Sequence, residues 1–104
     1  MAIETTDISN SATTIYTSSG NSAVTYCTIT NVTGSAISCD IHVVPSGDSV
    51  GNINCVAKTL EIAATDTYQL YAGGEKLLLE NSDFISVTAN TAAGLHSVVS
   101  STGI

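Results

Sequence analysis

Hydrophobic and polar residues alternate along several short runs of this chain, and the clearest run lies at residues 37–45. Apolar residues occupy the odd-numbered positions from Ile37 to Val43, and polar residues occupy the positions between them. Alternation with a period of two predicts a β-strand with one buried face and one wet face. A turn sequence, Pro45-Ser46-Gly47-Asp48, ends the run.

Other runs rich in Val, Ile, Thr and Tyr are separated by clusters of Gly, Asn, Asp and Ser. The run at 23–32 is apolar on both faces, which predicts a central strand with either a bulge or a partly covered outer face. Residues 67–72 and 76–79 flank Gly73-Gly74, so we expect them to pair as a hairpin. The remaining predicted strands are 13–17, 53–62, 84–89 and 95–100.

These runs predict about eight strands and no helix. We therefore expect an all-β, single-domain antiparallel β-sandwich, either jelly-roll or Ig-like, over residues 13–104. A chain of 104 residues supports a single core. Residues 1–12 lack a clear period, and we interpret them as an N-terminal arm that is either extended toward a neighbour or frayed.

The charge balance narrows the classes of partner. The chain has two lysines, no arginine, nine acidic residues and a net charge of −7, while serine and threonine supply 29 residues. Nucleic acids and anionic membrane surfaces are bound through clustered basic residues, so both are disfavoured. No apolar run approaches the roughly 20 residues of a membrane-spanning helix. Neutral hydroxyl groups suit surfaces that a protein partner covers.

The cysteines and the N-terminus favour a protein that works without export. The residues Cys27, Cys39 and Cys55 are odd in number, unlike a disulfide framework, so we expect buried free thiols. A Cys27–Cys39 disulfide is the alternative if their strands are neighbours. The first residues lack the basic start and apolar stretch of a secretory signal.

Two groups of residues carry chemistry that could support catalysis or metal binding. Asp40 and His42 share one strand face and could form a base and its orienting group, but no nucleophile motif accompanies them. We interpret them as a solvated strand face. The chain also contains the residue types of a zinc site, but their spacing lacks the paired cysteines that make such a site recognisable. The potential ligands are Cys27, Cys39, Cys55, His42 and His96.

Further candidates have simpler structural interpretations. The carboxylates near turns could bind calcium, but turn and capping roles explain them; they are Asp48, Asp66, Glu80 and Asp83. Gly73-Gly74 lacks the context of a phosphate-binding loop. Asn31-Val32-Thr33 matches a glycosylation sequon and is interpreted as a turn. One or two tyrosines are expected at an interface, from Tyr16, Tyr26, Tyr68 and Tyr71.

An ordered series of segments runs through the chain: Thr14-Ile15-Tyr16-Thr17, then residues 26–33, Ile41-His42-Val43-Val44-Pro45, residues 73–87 and a short final strand. Over residues 13–104 this order resembles the small all-β virion proteins of tailed bacteriophages. The best marker is Leu-Glu-Asn-Ser-Asp-Phe-Ile at 79–85, in which Ser82 stands where relatives often have Gly. The resemblance implies a virion structural role in a bacterial host.

We therefore expect a non-enzymatic bacteriophage virion structural protein, with capsid decoration or cement protein stabilising the head lattice ranked first. The alternative is a neck, collar, tail or fibre subunit, or an adhesin module that binds a glycan or a host receptor. A small hydrolase or metal-dependent enzyme ranks last, because no cluster of titratable groups converges. We expect no catalytic, metal or cofactor-binding residues.

The expected partners are other copies of the chain and a second virion protein. Exposed sheet edges must be paired or covered, which favours a homo-oligomer, and the resemblance implies a trimer in preference to a dimer. The major capsid protein or another virion protein is the expected second partner. The expected location is the virion, after synthesis in the cytoplasm of the bacterial host.

Overall fold

The computed structural model describes residues 2–70 and 77–104, which form nine strands in two antiparallel sheets. Sheet A contains β1 (Ala2–Ile8), β3 (Ser22–Asn31), β6 (Thr67–Gln69), β7 (Leu77–Leu79) and β9 (Leu95–Gly103). Sheet B contains β2 (Thr13–Thr17), β4 (Ile37–Val44), β5 (Cys55–Ile62) and β8 (Phe84–Ala89). A 3-10 turn, Asn52–Asn54, precedes β5. The predicted all-β sandwich is confirmed.

The strand pairs are nested along the chain. The first strand pairs with the last, β2 pairs with β8, β3 pairs with both β6 and β7, and β4 pairs with β5. If β6 and β7 count as one interrupted strand, eight strands wrap as a folded double hairpin over two sheets. This nesting is the jelly-roll arrangement and excludes the Ig-like alternative for the described residues.

Strand β3 is central in sheet A, as its two apolar faces predict. It lies between β9 on one side and β6 and β7 on the other, and its register with β9 shifts between Val24 and Tyr26. Of the two alternatives, the bulge is therefore present. Predicted strands 13–17, 37–45 and 84–89 match β2, β4 and β8 to within a residue.

The predicted hairpin between 67–72 and 76–79 is wrong for the residues that the structure describes. Strand β6 pairs with Thr28–Thr30 of β3 and β7 pairs with Ser22–Val24, so both segments follow the same edge of β3. The proposed Gly73-Gly74 turn lies outside the described residues. A ten-residue neighbour offers more ladder positions than a short local hairpin does.

The N-terminal segment also differs from the expected arm, because residues 2–8 form an edge strand of the sandwich. β1 pairs with β9 from Ala2↔Ser101 to Ile8↔Leu95 without a register shift. Ile8 is buried in the core, whereas the other described side chains of β1 are exposed or half-buried. Backbone hydrogen bonds to β9 hold this strand in place. Because few of its side chains are buried, its sequence shows little of the hydrophobic alternation that would predict a strand.

Branched aliphatic residues fill the space between the sheets, as expected for a pleated, buried surface. The members of this core whose exposed fraction is 0% are Ile29, Ile41, Ile85, Val87 and Leu95. The turn before β8 contains Ser82 in a left-handed conformation, with φ of 71°. This is the conformation that glycine adopts most readily.

Candidate interaction surface

The side of sheet A that faces away from the core is a broad surface of small hydroxyl-bearing and apolar side chains. We call it the outer face. Strand pairing places Ile3, Ser100 and Tyr26 in one row across β1, β9 and β3, because partners in register share a face. The neighbouring row contains Thr102, Ala23 and Leu78. The other members are Thr5, Asp7, Thr28, Thr30, Thr67, Gln69, His96 and Val98.

Three large apolar side chains of the outer face lie in water. Ile3 is 73% exposed, Leu78 is 68% exposed and Tyr26 is 46% exposed. They come from three different strands, and sheet pairing gathers them at one end of the face. A clustered set of exposed large apolar residues indicates an interaction surface more strongly than a single one does.

The charged groups of the outer face, among the described residues, lie at its opposite end. The Asp7 Oδ1 atom is 2.6 Å from the His96 Nδ1 atom, and the two residues are register partners on β1 and β9. The apolar end carries no charged group within the described residues. A partner that covers Ile3, Tyr26 and Leu78 therefore removes no ion of the described outer face from water.

The four tyrosines separate into different roles. Tyr16 is buried, and its hydroxyl group donates a hydrogen bond to Ser22 Oγ at 3.0 Å. Tyr68 is half-buried against the core, and Tyr71 lies outside the described residues. Tyr26 alone among the described tyrosines is exposed on the outer face, so it is the tyrosine for which an interface role stays a prediction.

Asp40 forms a local structural contact on sheet B. Its Oδ1 atom accepts a hydrogen bond from the Thr59 N–H at 2.7 Å, and its Oδ2 atom lies 3.4 Å from Lys58 Nζ. The Thr59 hydrogen bond is the main cause that holds the pKa of the Asp40 carboxyl below its ordinary value, and Lys58 lowers it further. Thr59 has a φ of 51°, so the carboxylate stabilises a left-handed residue in edge strand β5.

His42 differs from the predicted solvated face, because it is buried with 6% of its surface exposed. Its register partners are Ser86 on β8 and Cys55 on β5. Within the described residues the His42 Nδ1 and Ser86 Oγ atoms have no hydrogen-bond partner. Strand parity predicts the face on which a side chain lies, but it does not show how closely neighbouring side chains cover it.

The potential zinc ligands do not converge. Cys27 and Cys39 lie in the core on strands of opposite sheets, and His96 lies on the outer face. In residues 2–70 and 77–104, no three His, Cys, Asp or Glu side chains gather to hold a metal ion. Cys55 on β5 is the register partner of His42, whereas Cys39, on the same neighbouring strand β4, is opposite Leu60, and Cys27 lies in the other sheet.

All three cysteines are free thiols, which confirms the preferred interpretation and excludes the Cys27–Cys39 disulfide in this structure. Cys27 and Cys39 are buried, and Cys55 is half-buried. Burial raises the pKa of the Cys27 thiol to about 11. Burial, with a smaller contribution from Asp40, raises the pKa of the Cys39 thiol to about 11.

Turn contacts account for two of the carboxylates considered for calcium. The two carboxylate oxygens of Asp83 accept hydrogen bonds from the Ser46 and Glu80 N–H groups, each at 2.8 Å. Asp66 Oδ1 accepts a hydrogen bond from the Thr67 N–H at 2.8 Å. These contacts confirm turn and capping roles for Asp66 and Asp83.

Asn31 of the sequon is a fully buried structural residue. Its Nδ2 group donates hydrogen bonds to Ser35 O at 2.8 Å and Ile62 O at 3.0 Å. Its Oδ1 atom accepts hydrogen bonds from Thr33 N–H at 2.9 Å and Thr33 Oγ1 at 2.7 Å. The sequon therefore forms a turn in which the amide nitrogen is enclosed.

Comparison of the chain with protein-family models, curated proteins and solved structures found no match. The described part of the chain contains no helix that is both long and apolar enough to cross a membrane.

Proposed function

We propose that this chain is a non-enzymatic structural protein of a bacteriophage virion that decorates the capsid and stabilises the head lattice. The observation that carries the proposal is the outer face, whose apolar end exposes Ile3, Tyr26 and Leu78 among hydroxyl-bearing neighbours. Such a surface can bury area against a protein partner at little desolvation cost. The proposed partners are other copies of the chain and the major capsid protein.

The fold supports the same proposal by analogy. Jelly rolls occur in viral capsid domains, but also in lectins and other proteins, so the fold alone does not decide function. The resemblance of residues 13–104 to small virion proteins adds the viral context. The outer face adds a place where a lattice partner could bind.

A binding assay with purified particles tests the proposal. Particles assembled without this protein are mixed with the purified chain, and the bound fraction is measured by sedimentation. The double variant Tyr26→Ser/Leu78→Ser removes two apolar side chains from the outer face, and we expect its affinity for the particles to fall at least tenfold.

The matched control is Ile53→Ser. Ile53 is 95% exposed in the 3-10 turn, away from the outer face, so its replacement removes exposed apolar surface from another part of the molecule. We expect the control to bind as the wild type does, with both variants melting near the wild-type temperature. Equal binding by the double variant and the wild type would contradict the assignment of the outer face, and a lack of particle binding would contradict decoration.

A further inference from the structure

The four sheet edges of the sandwich differ in how they are protected against pairing with another strand. An exposed edge presents unpaired backbone N–H and C=O groups, which proteins normally protect with bulges, lysines, prolines or short strands. β5 has two register shifts, Lys58 and the left-handed Thr59. β2 has a register shift, and the remaining edge of sheet A consists of the three-residue strands β6 and β7.

Strand β1 has none of these features, and its charged side chains are limited to Glu4 and Asp7. It is seven residues long, it contains neither proline nor lysine, and its register with β9 is unbroken. β1 is therefore the one regular open edge in the described part of the molecule.

The hydrogen bonds of the neighbouring ladder show which groups of β1 point outward. The Val32 N–H donates to Gly94 O and the Ile104 N–H donates to Asn21 O, each at 3.0 Å. Each bond lies one position beyond a register pair of the two strands, Asn31↔Leu95 or Ser22↔Gly103. Hydrogen-bonded pairs alternate with non-hydrogen-bonded pairs along an antiparallel ladder, so the even-numbered residues 96–102 of β9 bond to β3.

Alternate residues of a strand direct their peptide groups to opposite sides. The odd-numbered residues of β9 therefore bond to the even-numbered residues of β1, which are their register partners. Ile3, Thr5 and Asp7 are left with N–H and C=O groups that point away from the sheet.

We infer that the open edge of β1 pairs antiparallel with β1 of a second copy of this chain, which joins two A sheets into one continuous sheet. A two-fold axis at Thr5 places Thr5 opposite Thr5 of the second copy and Ile3 opposite its Asp7. The three outward residues of each copy then exchange about six hydrogen bonds.

The Thr5 register is favoured because it pairs all three outward residues of each copy, and the acidic residues disfavour the register centred on Glu4. With the axis at Thr5, Glu4 lies opposite Thr6 of the second copy, and no acidic residue faces another acidic residue directly. Moving the axis to Glu4 would place the two Glu4 side chains opposite each other, and directly opposed like charges are destabilising. The contact is two-fold, unlike the trimer that the resemblance implies, and the inference does not depend on where the protein works.

The test is analytical ultracentrifugation of the full-length chain over a range of concentrations. The contact is smaller than a standard interface, so we expect a reversible dimer. Each copy carries a net charge of −7, so the dimer should become tighter when salt is raised from about 0.01 M to about 0.15 M and shortens the screening length.

The variant Thr5→Pro removes an outward N–H without removing a bond of the β1–β9 ladder, since proline is tolerated when its nitrogen faces away from the sheet. We expect its dimer to dissociate at least tenfold more readily. Thr5→Val retains the N–H group and should dimerise as the wild type does. The melting temperatures show whether both variants remain folded.

Amide hydrogen exchange on the wild type supplies a second measurement that does not depend on the variants. At high protein concentration, exchange of the Ile3, Thr5 and Asp7 amides should slow relative to dilute protein. A chain that stays monomeric, a trimer unaffected by Thr5→Pro, or equal exchange of these amides at both concentrations would overturn the inference. Dimer failure would leave particle binding intact, so the two proposals fail separately.

Discussion

Replacing Asn31 with alanine tests how the turn after β3 is held to the rest of the sandwich. The asparagine side chain is fully buried and makes four hydrogen bonds, to Thr33, Ser35 and Ile62. Alanine retains the backbone bond from Asn31 N–H to Asp66 O but loses all four side-chain bonds. The variant therefore isolates the amide group.

The expected loss follows from where the former partners lie. The contact with Ile62 O is buried, so that carbonyl is left without a partner at a cost of about 1–3 kcal/mol. The contacts near Thr33 and Ser35 are closer to solvent, where water can replace part of what is lost. We expect Asn31→Ala to lower the free energy of unfolding by about 3 kcal/mol, or the melting temperature by roughly 15 °C.

The assay is urea unfolding followed by circular dichroism, with Asn52→Ala as the control. Asn52 is exposed in the 3-10 turn, and its side chain has no hydrogen bond to the described residues, so the control should change stability by under about 0.5 kcal/mol. A loss below about 1 kcal/mol for Asn31→Ala would refute the view that this amide fastens the turn to β5.

Three further predictions concern the core and its thiols. Gly94 has a φ of 120°, and an added Cβ atom would lie 2.7 Å from side-chain atoms of two residues that pack against it. Gly94→Ala should therefore lower the free energy of unfolding by about 2 kcal/mol or more, measured by thermal unfolding. The control Gly34→Ala has open space around the added Cβ atom and should lower it by less than about 1 kcal/mol. Equal losses would contradict the strain at Gly94. An alkylating reagent followed by mass spectrometry should label Cys55 first in the native protein and label Cys27 and Cys39 only after denaturant is added, because they are buried; rapid native labelling of all three would contradict the packed core. The pKa of the Cys27 thiol is raised from 9.0 to about 11 on folding, so its contribution to stability is present below pH 9 and is lost as the pH rises toward 11. Cys27→Val should therefore weaken the fall in unfolding free energy over that range, and an unchanged pH dependence would contradict the shift.

Side-chain alternation was a reliable guide where a strand packs one face on the core. β2, β4 and β8 are such strands, and their bounds were predicted to within a residue. β1 was not predicted as a strand because Ile8 is its only buried side chain among those described, and a backbone ladder has no residue-type signature.

Long-range pairing explains the remaining differences. Gly73-Gly74 is a local hairpin signal, but both flanking segments instead pair with β3. The outer face was not predictable because Ile3, Tyr26 and Leu78 are brought together only by the order of the strands. The hydroxyl-rich, weakly charged composition indicated that such a face should exist without locating it.

The most direct test of the proposed decoration role is the copy number of this chain in purified particles of the bacteriophage proposed to encode it. Quantitative mass spectrometry against the major shell protein gives that ratio. A decoration protein is expected in a number equal to the shell protein or to a simple fraction of it. A handful of copies per particle would contradict decoration and favour a neck, tail or fibre location, and absence from the particle would contradict a virion role.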